Sequence, residues 1–127
     1  MRTCWLLAAV IVLLDPSQAL EFGPGEKLVY IKCGRCHVIG PSNRLGGIGS
    51  TPKFTVIRNW ANWEDKMRAF YSLAPHIAFM QIEGVTEPFP ENLPSPIAPV
   101  ILSEAELERI IDYTRRLEPA DLGAEVR

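Results

Sequence analysis

Two thiols stand two residues apart, with a histidine directly after the second: Cys33-Gly34-Arg35-Cys36-His37. No other feature of the 127-residue chain constrains its fold as much. The C-x-x-C-H spacing is the attachment signature of a covalently bound haem. Each thiol can add across one vinyl group of the porphyrin, forming two thioether bonds. The following imidazole is then held under the iron, where it can serve as the proximal ligand. Cys33, Cys36 and His37 are therefore the expected cofactor-binding residues, and one haem c is the expected cofactor. A disulfide between thiols this close would close a trivial loop, so stapling does not explain them.

The rest of the chain has to house such a group. Arg2 precedes an apolar run from Cys4 to Leu14, and Ser17-Gln18-Ala19 places small residues three and one before a cut. That pattern reads as a signal peptide over residues 1–19, which places the remaining domain, 20–127, in the periplasm. About eleven apolar residues fall short of the ~20 needed to span a bilayer, and no later segment is more apolar. No membrane span is therefore expected in the mature chain. Loss of Cys4 with the signal leaves only Cys33 and Cys36. The formal net charge of −2 does not suit a nucleic-acid binder. Charge is unevenly spread, however: Lys and Arg dominate residues 22–70, and Asp and Glu dominate 71–127.

Residues Glu26 to Lys32 can form a short helix entering the motif, although Leu28 to Ile31 alone could equally be a strand. Residues 38–53 are rich in Gly, Pro, Ser and Asn. A carbonyl in this stretch, at Pro41 or a near neighbour, can accept the Nδ1 hydrogen bond that orients His37. Asn62 reads as an N-cap, and Trp63, Met67, Phe70 and Leu73 then share one face of a helix that stops before Pro75. From Pro75 to Pro99 six prolines interrupt a stretch with neither helical nor strand periodicity, so a long extended loop is expected. It carries His76 and Met80, and its Glu83, Glu87 and Glu91 read as solvated. Ser103-Glu104-Ala105-Glu106 is a capping box. It opens a last helix with Leu107, Ile110, Ile111 and Thr114 on one face. Leu117 to Arg127 read as a frayed tail, so the domain core spans about 23–117 and the tail 118–127.

Taken together, these residues resemble a class I monohaem cytochrome c. Gly25-x-x-x-Val29 running into Cys33–His37 is similar to that family's first helix and haem motif. Ile110-Ile111-Asp112-Tyr113 is similar to the apolar and aromatic pattern of its last helix. The Gly/Pro loop and Thr51-Pro52-Lys53-Phe54 are similar to small bacterial members. The resemblance implies a mostly α fold: crossing N- and C-terminal helices, a central helix, and long loops around a covalent haem. It departs at the distal ligand. The family supplies a methionine shortly before the last helix, where this chain reads Ser95-Pro96-Ile97-Ala98-Pro99. His76 and Met80 are the alternatives for that role, with Met67 behind them.

The function implied is exported single-electron transfer between redox protein partners, by a carrier rather than an enzyme. Lys27, Lys32, Arg35, Arg44 and Lys53 would steer an acidic partner, and the acidic proline loop over 83–99 would bear on partner choice. Three other readings compete. An open or weakly ligated sixth site would suit gas binding or peroxidase-like chemistry. A thioredoxin-type thiol–disulfide oxidoreductase would use Cys33 and Cys36. Zinc would be held by Cys33, Cys36 and His76.

Overall fold

The computed structural model describes residues 22–123. The signal peptide expected at 1–19 and the last residues of the tail lie outside them. In chain order the elements are α1 (Glu26–Cys33), α2 (Phe54–Ile57), α3 (Trp63–Ala69), β1 (Met80–Ile82), β2 (Val100–Leu102) and α4 (Glu104–Arg116). Single 3-10 turns lie at Pro41–Asn43, Phe70–Ser72 and His76–Ala78. The domain is small and mostly helical, as its local patterns predict. Among the described residues no helix is long and apolar enough to cross a membrane.

The frame is the packing of α1 on α4. Ser103 Oγ accepts from the Glu106 amide at 3.1 Å, and the Glu106 carboxylate accepts from the Ser103 amide at 3.0 Å. This reciprocal cap contributes on the order of 1 kcal/mol. Leu107, Ile110, Ile111 and Thr114 are buried as the spacing predicts, together with Val29 from α1. Each fully buried aliphatic of this kind contributes roughly 1.5–3 kcal/mol. Thr114 satisfies its hydroxyl on the Ile110 carbonyl, 2.8 Å away.

Gly25 opens α1 with φ +79°, and a Cβ there would stand 3.6 Å from the Cβ of Tyr113 and 3.3 Å from the Arg116 guanidinium. Glycine thus meets both a left-handed turn and a close approach to α4. Arg116 closes the same corner by donating to the Pro24 carbonyl at 2.8 Å. The buried Tyr113 hydroxyl donates to the Ile39 carbonyl at 3.2 Å, and burial pushes its pKa up to about 12.

Several expectations are corrected. The stretch from Pro75 to Pro99 is not wholly extended loop. Met80–Ile82 pairs in parallel with Val100–Leu102, Met80 opposite Val100 and Ile82 opposite Leu102. A three-residue strand shows no readable alternation, and its partner lies twenty residues later. The central helix ends at Ala69 and tightens into a 3-10 turn through Ser72, and Leu73 is 56% exposed rather than on the buried face. Asn62 does precede α3, but it has φ +54° and makes no side-chain cap. The tail is not frayed from Leu117. Ala120 N–H donates to the Thr55 carbonyl at 2.9 Å, Asn59 Nδ2 to the Ala120 carbonyl at 3.0 Å, and Arg58 Nε to the Leu117 carbonyl at 3.3 Å. These contacts dock residues 117–120 on α2, a helix that the local pattern did not signal.

Candidate functional site

The elements enclose one large cavity of about 740 Å³, mostly apolar in its walls. The end of α1 and the turn after it bring Cys33, Cys36 and His37 to its surface. The segment after α3 brings His76, and α3 and β1 bring Met67 and Met80. All five cofactor and ligand candidates, with Met67, thus share one chamber. A second, more open cleft of about 410 Å³ between Arg68, Tyr71, Glu104 and Glu108 contains none of them.

The backbone around the motif is tightly specified. Cys36 and His37 amides both donate to the Cys33 carbonyl, at 3.1 and 2.9 Å, continuing α1 into a turn. The Cys36 carbonyl accepts from the Ile48 amide at 2.8 Å and from the Thr51 hydroxyl. Gly47 makes this fold-back possible. It has φ +79°, and a Cβ there would lie 3.0 Å from the Val38 amide and 3.2 Å from the Cys36 carbonyl.

Asn43 is the residue that sequence reasoning missed. It is buried; its Oδ1 accepts from the Ile39 amide at 2.8 Å, and its Nδ2 donates to the His37 carbonyl at 2.8 Å. A polar residue inside a turn-rich stretch carries no mark that distinguishes a buried clamp from a solvated turn.

One level further out, Glu26 is also buried. Burial pushes its carboxyl up, but the Ser42 hydroxyl and the Gly23 and Ser42 amides outweigh that, holding it below its usual range.

His37 Nδ1 lies 2.8 Å from the Pro52 carbonyl. A carbonyl only accepts, so Nδ1 carries the proton and Nε2 keeps its lone pair. The orienting carbonyl is thus in the predicted loop, but at Pro52 and not at Pro41. Phe54, at the start of α2, stands edge-on to the ring at 5.6 Å.

Facing His37, the His76 ring lies nearly parallel to it, 10° between planes and 6.1 Å between ring centres. Phe70 and Phe79 flank His76 at 4.8 and 5.7 Å. Burial, and then the proximity of His37, lowers the His76 pKa below the usual imidazole value. Met80 also lines the chamber, but it is buried in β1 with its backbone committed to the strand pair.

Both motif cysteines are free thiols. Burial, then the neighbouring Cys36, pushes the Cys33 thiol up to about 12, although part of its surface still borders the open chamber. Among the described residues no three His, Cys, Asp or Glu side chains converge as a metal-binding group. Glu83, Glu87 and Glu91 are exposed, as expected of a solvated loop.

Two of the basic residues expected to steer a partner are engaged within the domain. Lys32 donates to the Ile101 carbonyl at 2.7 Å and lies 3.5 Å from Glu106; Arg35 donates to the Ala98 carbonyl at 3.2 Å. Lys27, Arg44 and Lys53 remain exposed. No protein-family model, no curated protein and no solved structure matches the chain.

Proposed function

We propose that this chain is an exported c-type cytochrome of class I architecture that carries single electrons through one covalent haem ligated by two histidines. The facing pair of imidazoles carries the reading. Metal–imidazole bonds are about 2 Å long and a ring centre lies about 1 Å beyond the nitrogen, so two rings on opposite sides of one ion stand about 6 Å apart. His37 and His76 stand 6.1 Å apart. Parallel rings at that spacing also suit an offset stack; a shared ion accounts in addition for the two thiols on the same chamber wall.

The remaining residues suit the same group. Cys33 and Cys36 border the chamber as free thiols, placed for two thioether bonds. The Pro52 carbonyl holds the His37 tautomer that presents Nε2 to a metal. Phe54, Phe70 and Phe79 line the chamber with apolar surface that excludes water. When bound, the haem supplies reversible one-electron chemistry at its iron, with a potential set by axial ligands and burial. If His37 and His76 held the iron together, no position would be left open for a gas or peroxide, which suits carriage and not catalysis. The raised Cys33 pKa supports the same choice, because a thioredoxin-type nucleophile requires a depressed one.

The test is spectroscopic. The chain is expressed in a host with haem-attachment machinery and its haem extracted with acid–acetone. The expected protein retains its haem, shows sharp ferrous bands, is low-spin when ferric and does not bind carbon monoxide. His76→Ala becomes high-spin and binds carbon monoxide, whereas Met80→Leu does neither. Extractable haem, or the reverse pattern for the two variants, would overturn the reading.

A further inference from the structure

The cleft of about 410 Å³ outside the chamber has an apolar floor. Ile82 and Leu107 are buried there, and Val85, 49% exposed, adds aliphatic surface open to solvent. Arg68, the cation in its lining, is neutralised by Glu108 on α4. Glu104, also in the lining, is exposed and takes part in no ion pair among the described residues. The same holds for Glu83 and Glu87, on either side of Val85 in the turn after β1. The backbone of that turn is fixed. Glu83 N–H donates to the Leu102 carbonyl at 2.9 Å, Ile82 N–H to the Thr86 hydroxyl at 3.0 Å, and Gln81 Nε2 to the Glu87 carbonyl at 3.0 Å. An apolar recess with carboxylates that lack cations of their own is complementary to a basic surface.

The cleft also shares a wall with the chamber. Arg68 follows Met67, Tyr71 follows Phe70, and Leu107 lies one turn before Ile110; the first of each pair lines the cleft and the second the chamber. Aromatic rings cross that wall. Tyr71 and Phe70 meet edge to face, 6.4 Å between centres, and Phe70 meets His76 in the same way at 4.8 Å, both within the range of aromatic contact. We propose that the cleft is a docking site for a basic one-electron protein, coupled to the iron through Tyr71, Phe70 and His76. It is a second port, opposite in charge to the exposed Lys27, Arg44 and Lys53. The docking rests on the cleft alone, and the electron step rests on the proposed haem reading. In that step one electron passes between the iron and the partner's centre, oxidising one and reducing the other, and no bond or proton moves.

The experiment oxidises the ferrous haem-loaded protein by stopped flow at low salt, with cationic tris(phenanthroline)cobalt(III) or anionic ferricyanide. Glu83→Gln/Glu87→Gln/Glu104→Gln strips the cleft, and Glu91→Gln/Glu118→Gln/Asp121→Asn removes the same charge elsewhere. Expected is a fall of about three- to tenfold in the cobalt rate for the cleft variant, lost at high salt, against under about twofold for the control. The ferricyanide rate falls in neither. Tyr71→Ala slows the cobalt reaction alone, and Tyr71→Phe, which keeps the ring, does not. Docking is read separately with redox-inert, paramagnetic hexaamminechromium(III), which broadens the amide signals of Val85 and Ala105 in wild type and not in the cleft variant. Equal rate falls in the two charge variants, or broadening no stronger at Val85 and Ala105 than at Glu118 and Asp121, would overturn the docking site while leaving covalent haem binding intact. Equal slowing of both oxidants by Tyr71→Ala would overturn the aromatic route. Wild-type protein that yields no acid–acetone-resistant haem would instead remove the underlying reading and the electron step with it, and the chromium broadening alone would then decide the docking site.

Discussion

The two sides of the chamber are built differently. On the His37 side the backbone is over-determined by contacts within about twenty residues. Asn43 clamps Ile39 and His37, the Cys36 carbonyl accepts twice, and Pro52 fixes the ring. On the His76 side the ligand candidate rides on a single 3-10 turn. Phe79 N–H donates to the His76 carbonyl at 2.9 Å, and the Val100 amide donates to the Phe79 carbonyl at 2.8 Å. That second bond comes from a strand on the far side of the proline loop. One side is a pre-set cradle and the other is an arm tied down at its end. On the proposed haem reading, covalent attachment falls on the rigid side, and any softening of ligation is expected first on the tethered side.

The largest test of this contrast is Asn43→Ala. It strands the Ile39 amide and the His37 carbonyl in a buried site and is expected to cost about 2–4 kcal/mol of stability by denaturant unfolding. Gly47→Ala should follow at about 1–3 kcal/mol, because the new Cβ meets a positive φ and backbone atoms at 3.0–3.2 Å. Both variants should lose haem-attachment yield along with stability.

Val100→Pro probes the other side by removing the N–H that holds the Phe79 carbonyl. Covalent haem should remain, while carbon monoxide binding to the reduced protein, through transient loss of His76, should rise about tenfold, the size of one lost hydrogen bond. Equal effects of Val100→Pro and Asn43→Ala on attachment yield would erase the distinction.

The smallest effect is a pH dependence. Glu26 is held below its usual 4.5, so its unfolded form binds a proton first as pH falls. Its stabilisation is complete above about pH 4.5 and is lost progressively below it. Denaturation midpoints of wild type and Glu26→Gln should therefore differ at pH 7 and converge toward pH 3, as protonated Glu26 loses its hold on Ser42 and Gly23.

Much of this was legible locally. The thiol spacing, the helix running into it and the capped last helix each depend on residues within one or two turns. The structure carries α1 from Glu26 into Cys33 and buries Leu107, Ile110, Ile111 and Thr114 at the predicted positions. What could not be read had longer reach. Leu73 shares the period of Trp63 and Met67, but the chain leaves the helix at Ala69 and places that side chain, 56% exposed, on the chamber wall. Residues 117–120 look like any polar, proline-bearing tail until α2 and the turn after it offer Thr55 and Asn59 to pair with. Lys32 and Arg35 look like free surface charges until the segment between Ala98 and Glu106 supplies their acceptors.

The sequence by itself determined that two thiols and a histidine lie within five residues; in the structure the Cys36 and His37 amides both donate to the Cys33 carbonyl, so one turn carries all three. The sequence left His76 and Met80, four residues apart, as alternatives for the distal position. Their different placements were decided only by the tertiary structure. The parallel pairing of Met80–Ile82 with Val100–Leu102 draws Met80 into the strand and leaves the preceding turn to present His76. The two imidazoles then face each other at 6.1 Å. Pairing between strands twenty residues apart is paid for by the packed core as a whole, so no local pattern announces it.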